Sequence, residues 1–154
     1  MQTTLLYLHS YVRWILLVLL LITIVKAFIG WKKNELFSNS DKIRLLSTMI
    51  IAHTTLLIGI YQVFAGRFGI LNTELEAGQS FMKDRFYRFY WMEHPLLMVL
   101  AIVAITIANK TSKKAIANDV KMKKIFFYSF FALIFILAAI PWPFRAAIGR
   151  PLLP

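Results

Sequence analysis

The fold class of this chain is decided by residues 45–66, LLSTMIIAHTTLLIGIYQVFAG, an apolar stretch without a charged side chain. About 20 predominantly apolar residues are enough for a helix to cross the hydrocarbon core of a bilayer. Ser40 and Asp41, which come shortly before the stretch, are residue types that commonly cap the start of a helix. We therefore predict a membrane-spanning helix over residues 45–66.

The rest of the chain carries three more stretches of this kind, and its composition agrees with them. Hydrophobic residues make up 59% of the 154 residues, against about 45–50% in an ordinary soluble domain. Four spans occupy most of the chain and leave no room for a separate soluble module. We expect an all-α integral membrane four-helix bundle with a single domain, residues 1–154, and helices at about residues 4–31, 45–66, 86–109 and 125–144.

Lysine and arginine residues cluster in the connections between the first two helices and between the last two. Cytoplasmic loops carry an excess of these residues, which predicts an up-down-up-down bundle with both termini on the outer, periplasmic side. The net charge of +11 then reflects topology and attraction to anionic lipid. The basic residues flank the spans and do not alternate with exposed aromatic residues, so nucleic acid is not expected as a partner. They are Lys26, Lys32, Lys33, Lys42, Arg44, Lys110, Lys113, Lys114, Lys121, Lys123 and Lys124.

The only three histidines of the chain, His9, His53 and His94, lie in three different apolar stretches. Ionisable residues at membrane depth usually face the bundle interior and have a function. Imidazoles from separate helices are typical axial ligands of haem iron. Because the chain has no cysteine, thiolate ligation, iron–sulfur clusters and covalent attachment of haem are excluded. The expected cofactor is therefore a haem b.

Helix geometry allows two pairs of axial ligands, and the position of Arg13 favours one of them. His53 and His94 can reach one iron if the second helix leaves the hydrocarbon near residues 61–62, whereas His9 and His94 match in depth directly. Arg13, one turn beyond His9, lies on the same helix face. With iron between His53 and His94, the propionates would point outward to Arg13 and Arg88. We expect His53 and His94 to bind the metal, with His9 as a third member of the site.

The aromatic run at residues 85–91, RFYRFYW, predicts an interfacial belt. Its last members, Tyr90 and Trp91, are expected to line the haem pocket. Glu93 is adjacent to His94 but lies about 100° around the helix, so we expect it to pair with a basic residue and not to bind the same metal.

Several stretches of the chain have a distinctive sequence, namely residues 9–14 (HSYVRW), 52–53 (AH), 56–59 (LLIG), 88–96 (RFYWMEHPL) and 140–145 (IPWPFR). In these stretches the chain resembles small bacterial four-helix integral membrane proteins labelled cytochrome b-like. The resemblance covers almost the whole chain. It implies a histidine-bearing bundle in the bacterial cytoplasmic (inner) membrane and a b-type cytochrome.

The functional hypothesis is a redox subunit that passes single electrons between a quinol or another membrane carrier and an outer partner. Two histidine ligands leave iron no open position, which suits electron transfer better than oxygen chemistry. Two alternatives stay open. The three histidines with Glu93 would suit copper, zinc or iron in a non-haem metal site, and the chain would also suit a cofactor-free accessory subunit of a larger membrane complex. Quinone binding and homodimer formation stay open as well.

Overall fold

The structure is a computed structural model that describes residues 2–75 and 78–151. Within these ranges the regular secondary structure is helical and no residue lies in a strand. The helices are α1 (Gln2–Lys33), α2 (Asn39–Ala65), a 3₁₀ turn (Ile70–Asn72), α3 (Arg85–Arg88), a π-helical turn (Phe89–Glu93), α4 (His94–Ser112) and α5 (Asn118–Ala139).

Four helical segments of the described chain are long and apolar enough to cross a membrane, which confirms the predicted number of spans. The third is continuous from Arg85 to Ser112, because α3, the π-helical turn and α4 follow one another without a break. Helix α1 packs against α2, α2 against α4, and α4 against α5, and α5 closes the bundle by packing against α1. The predicted all-α four-helix bundle is confirmed.

Two helix boundaries differ from the prediction for identifiable reasons. Helix α2 begins at Asn39 because Ser38, and not Ser40, caps it. The Ser38 hydroxyl accepts a hydrogen bond from the Asp41 backbone N–H, and the Asp41 carboxylate accepts one from the Ser38 N–H, which together form a capping box. Helix α5 ends at Ala139 and not near residue 144, because Pro141 has no N–H with which to continue the helix.

The interior of the bundle is filled by aliphatic side chains and by alanines that let the helices approach closely. Large apolar side chains also cover the outside of all four spans, where a soluble bundle would carry polar ones. This pattern fits contact with a lipid bilayer. The central buried residues include Leu16, Leu20, Ala52, Ala101, Ile105, Ala132 and Ile136.

The third span contains a π-helical turn directly before its proline. The backbone N–H of His94 bonds to the carbonyl of Phe89, five residues earlier, in place of the usual four. Pro95, the next residue, cannot donate to the Trp91 carbonyl because it has no N–H. Single π-turns inside helices occur often at functional sites, and this one changes the helical register immediately before His94.

Four parts of the chain meet at one end of the bundle. The Gln62 side-chain amide donates to the Leu5 carbonyl at 3.0 Å, which joins the end of α2 to the start of α1. After α5 the chain folds back, and the Arg150 N–H bonds to the Pro141 carbonyl at 3.0 Å. The Tyr90 hydroxyl, from the π-helical turn, donates to the Ile148 carbonyl at 2.7 Å. A cavity lies where these parts converge.

Candidate functional site

The cavity has a volume of about 580 Å³ and is lined by residues of α1, α2, the π-helical turn, α4 and the C-terminal segment. Its walls combine apolar and aromatic side chains with two histidines and three arginines, and no described residue of the lining is acidic. Ligand pockets generally have this composition, a mostly apolar surface with a few convergent polar groups. The charge of these walls favours an amphipathic anion.

His9 and His94 lie side by side in the wall of this cavity. Their ring centroids are 6.3 Å apart and the ring planes are inclined by 62°. Both residues are partly buried. Two imidazoles from different helices are thus brought together, one from the first span and one from the third.

A hydrogen bond to the end of α5 fixes the orientation of the His94 ring. Its Nδ1 lies 2.7 Å from the Ala139 carbonyl oxygen. A carbonyl only accepts hydrogen bonds, so Nδ1 carries the proton and Nε2 is left with a lone pair. Metal-binding histidines are commonly oriented in this way by a carbonyl or a carboxylate.

The ring of His9 packs against the backbone of α2. A Cβ atom placed on Gly59 would lie 3.4 Å from His9 Cε1, an ordinary contact distance, so the ring lies close to the α2 backbone at this glycine. The ring also approaches the Thr55 carbonyl. Nevertheless Nδ1 of His9 is buried and finds no partner with hydrogen-bond geometry among the described residues. A buried polar atom without a partner is costly.

Arg13, Arg67 and Arg150 are the three arginines of the lining. The Arg150 guanidinium lies 4.7 Å from the ring centroid of Tyr90 and 4.9 Å from that of Phe68, which are cation–π distances. Arg13 reaches the cavity from α1, one helical turn beyond His9. Three guanidinium groups around one cavity provide several positions at which a carboxylate could be bound in the two-pronged geometry typical of arginine.

Tyr90 and Trp91 both line the cavity. Each is also held by a backbone carbonyl from another segment, because Tyr90 donates to Ile148 and the Trp91 indole N–H donates to Phe68 at 2.8 Å. The two side chains therefore fasten the loop after α2 and the C-terminal segment onto the third span.

The structure does not bring His53 or Arg88 to the cavity. His53 is exposed on the outside of the bundle, and its Nδ1 lies 2.9 Å from the Met49 carbonyl of its own helix. The Arg88 Nε donates to the Glu93 carboxylate at 2.8 Å, and its Nη1 donates to the Met82 carbonyl at 3.2 Å. The expected pairing of Glu93 with a basic residue is confirmed.

A three-ligand metal site of the kind considered above is not assembled by the described residues. No group of three histidine, aspartate or glutamate side chains converges among them. Only His9 and His94 are close to each other, while Glu93 forms the ion pair with Arg88.

Arg67 and Arg150 were not anticipated from the sequence, although both carry a signal. Each directly follows a glycine that ends or tightens a turn, Gly66 and Gly149. A Cβ atom on Gly149 would lie 2.7–2.8 Å from three carbonyl oxygens of the C-terminal segment, so this residue has to be glycine. A glycine required by a tight turn places the next side chain in a defined direction, here toward the cavity.

Comparison with known proteins gives no relative for this chain. No family model matches it, and neither a curated protein nor a solved structure is similar to it.

Proposed function

We propose that this protein binds one b-type haem in the cavity, with His9 and His94 as axial ligands, and passes single electrons between a quinol or another membrane carrier and an outer partner. The observation that carries the proposal is the approach of these two imidazoles, with ring centroids 6.3 Å apart, in the wall of a cavity that also holds three arginines. A single histidine in a span often serves only a helix contact. Two histidines beside one amphipathic cavity favour a shared ligand.

The separation of the rings fits two ligands on one metal. Imidazole nitrogens bind a transition metal at about 2.0–2.1 Å, so two rings with centroids 6.3 Å apart would both be near enough to hold one metal ion. His94 keeps Nε2 for a metal, because its Nδ1 is occupied by the Ala139 carbonyl.

Haem carries two carboxylates, and the arginines of the cavity provide the positive charge that these carboxylates need. Arg13, Arg67 and Arg150 surround the cavity and would hold these propionates, with Tyr90 and Trp91 against the flat ring. A guanidinium matches a carboxylate with two parallel hydrogen bonds. Arg88, which the sequence suggested for this role, is engaged with Glu93.

The bound haem would supply one-electron redox chemistry. Ligation by two histidines leaves no open position on iron, which favours electron transfer over reaction with oxygen. The protein's own contribution is to fix both imidazoles, neutralise the propionates and surround the ring with apolar side chains. In this proposal the protein is a redox subunit of the bacterial cytoplasmic membrane, as its resemblance to cytochrome b-like bundles implies.

The orientation in the membrane is part of the proposal. The connections from Lys33 to Asn39 and from Ser112 to Asn118, together with the lysines of the adjoining helix ends, lie at the end of the bundle opposite the cavity. Excess lysine marks the cytoplasmic side. The cavity would then lie near the outer surface, with both termini on that side and the four spans alternating in direction.

The test is the haem content of the full-length protein, purified in detergent from cells supplied with a haem precursor. We expect a reduced spectrum of b type and about one haem b per chain by pyridine extraction, because bis-histidine ligation is tight and non-covalent. Purified protein without haem, from cells in which a control b-type cytochrome is fully loaded, would contradict the proposal.

A further inference from the structure

A second candidate site lies at the opposite end of the bundle, where the end of α1 packs against the start of α5. Trp31 stands at its centre. The Lys32 ammonium nitrogen lies 4.5 Å from the centre of the Trp31 ring, and that of Lys123 lies 5.4 Å from it. We call Trp31, Lys32 and Lys123, with the aromatic residues packed around them, the lysine–aromatic cluster. Those aromatic residues are Phe28, Phe126 and Phe127.

The two ammonium groups of this cluster lack an anionic partner. Among the described residues no carboxylate forms an ion pair with Lys32 or Lys123. Asp119 is one helical turn before Lys123 but does not pair with it. Two like charges near one indole ring repel each other, and a bound anion would relieve this repulsion.

An apolar groove continues from these charges along α5. It has a volume of about 400 Å³ and is lined by Val120, Lys123, Lys124, Phe127 and Tyr128. Phe127 and Phe130 are exposed on the outside of the bundle, facing the position of the bilayer. Two lysines thus lie beside apolar and aromatic side chains on this surface of α5.

We propose that the lysine–aromatic cluster binds one anionic phospholipid, with its phosphate held by Lys32 and Lys123 and one acyl chain along Phe127 and Phe130. Charge complementarity assigns the headgroup, because ammonium groups without a carboxylate partner suit a phosphate diester. The exposed phenylalanines assign the chain, because a soluble phosphate would make no use of them. This site is independent of the cavity that holds His9 and His94.

A general interfacial belt of lysine and aromatic residues would produce a similar composition without a defined site. The two explanations differ in which positive charges the binding of lipid depends on. A defined site depends on Lys32 and Lys123, whereas a diffuse surface attraction depends on the number of positive charges at that end of the bundle. Lys113 and Lys114, exposed in the connection between α4 and α5, provide a control pair with the same charge at the same end.

The experiment reconstitutes the full chain in a bilayer of equal parts phosphatidylglycerol and phosphatidylcholine and measures the lipids retained on the protein by native mass spectrometry. We expect several-fold enrichment of one phosphatidylglycerol on the unmodified protein. The K32Q/K123Q variant is expected to lose this enrichment, and K113Q/K114Q to keep it. Trp31→Leu, which retains both lysines, is expected to weaken it.

Three results would overturn this proposal. The first is no enrichment on the unmodified protein, and the second is an equal loss in the two lysine pairs, which would indicate diffuse attraction. The third is displacement of the lipid by millimolar inorganic phosphate, which would assign the cluster to a soluble anion. The helix content of each variant, measured by circular dichroism, verifies that the bundle is intact.

Discussion

His94 and His53 differ in their surroundings more than in their sequence context. Both lie in apolar spans. His94 is held by a carbonyl of another helix and lies beside His9 in the cavity wall, whereas His53 is exposed and bonds to a carbonyl of its own helix. Depth along a span therefore does not determine which imidazoles meet. Whether two imidazoles meet depends on which side of each helix carries the histidine and whether that side lies against the cavity.

The packing of α2 explains why His53 points outward. The buried face of this helix carries Thr48, Ala52 and Thr55, spaced by three or four residues. Gly59, four residues after Thr55, continues the stripe and lies close to the His9 ring. His53, next to Ala52, lies about 100° around the helix. Small residues at a helix interface permit close approach, and the histidine of α2 is left on the flank.

Substitutions of the cavity histidines and of His53 are expected to differ most in their effect on haem binding. His9→Ala should abolish haem retention, because it removes one of the two imidazoles that would hold the iron. His94→Ala should do the same, with an added loss of about 1–3 kcal/mol because the buried Ala139 carbonyl loses its partner. The measurement is the haem-to-protein ratio after purification.

His53→Ala is the matched control, and it should retain haem fully. Imidazole added during reconstitution should restore a bis-nitrogen spectrum to His9→Ala, since the small molecule can enter the space left by the side chain. Loss of haem in His53→Ala with retention in His9→Ala would reverse the comparison and restore the ligand pair expected from the sequence.

A smaller effect is expected from the arginines. Replacing Arg150 or Arg67 with Gln should weaken haem affinity at least about tenfold, because one charged hydrogen bond contributes about 1.5–3 kcal/mol. Arg88→Gln should leave haem affinity unchanged, since Arg88 pairs with Glu93 outside the cavity. Haem transfer to apomyoglobin measures these affinities. Equal losses in the Arg88 and Arg150 variants would mean that net charge, and not position, holds the propionates.

Substitutions at two glycines, Gly149 and Gly59, test which segments belong to the site. Gly149→Ala places a Cβ atom 2.7–2.8 Å from backbone carbonyl oxygens, so the C-terminal segment must shift and carry Arg150 with it. We expect a several-fold weaker haem affinity. Gly59→Ala makes an ordinary contact with His9 at 3.4 Å and should have little effect. The same transfer assay compares both, and a stronger effect from Gly59→Ala would indicate that the Arg150 segment is not part of the site.

The smallest effect concerns stability at His53. His53→Leu should change the free energy of unfolding by no more than about 0.5 kcal/mol, which is usual for a substitution on an exposed face. Denaturation in mixed micelles, followed by circular dichroism, measures it. A loss of several kcal/mol would show that the His53 ring has a partner that helps to hold the bundle together.

The sequence predicts the spans well because membrane crossing depends on apolar length, which residues 45–66 display directly. It also predicts that Tyr90 and Trp91 line the site, and that Glu93 pairs with a basic residue. It matches His9 and His94 in depth but does not predict that these two, and not His53 and His94, lie side by side. That arrangement depends on the π-helical turn before His94 and on the return of the C-terminal segment, which are tertiary features without a periodic signal.

The most direct test of the account is an experimental density map of the protein purified with its natural complement of cofactors. The account predicts a flat porphyrin between His9 and His94, with its carboxylates toward Arg13, Arg67 or Arg150. A map in which these two rings meet with nothing between them, or in which a porphyrin is bound through His53, would contradict it.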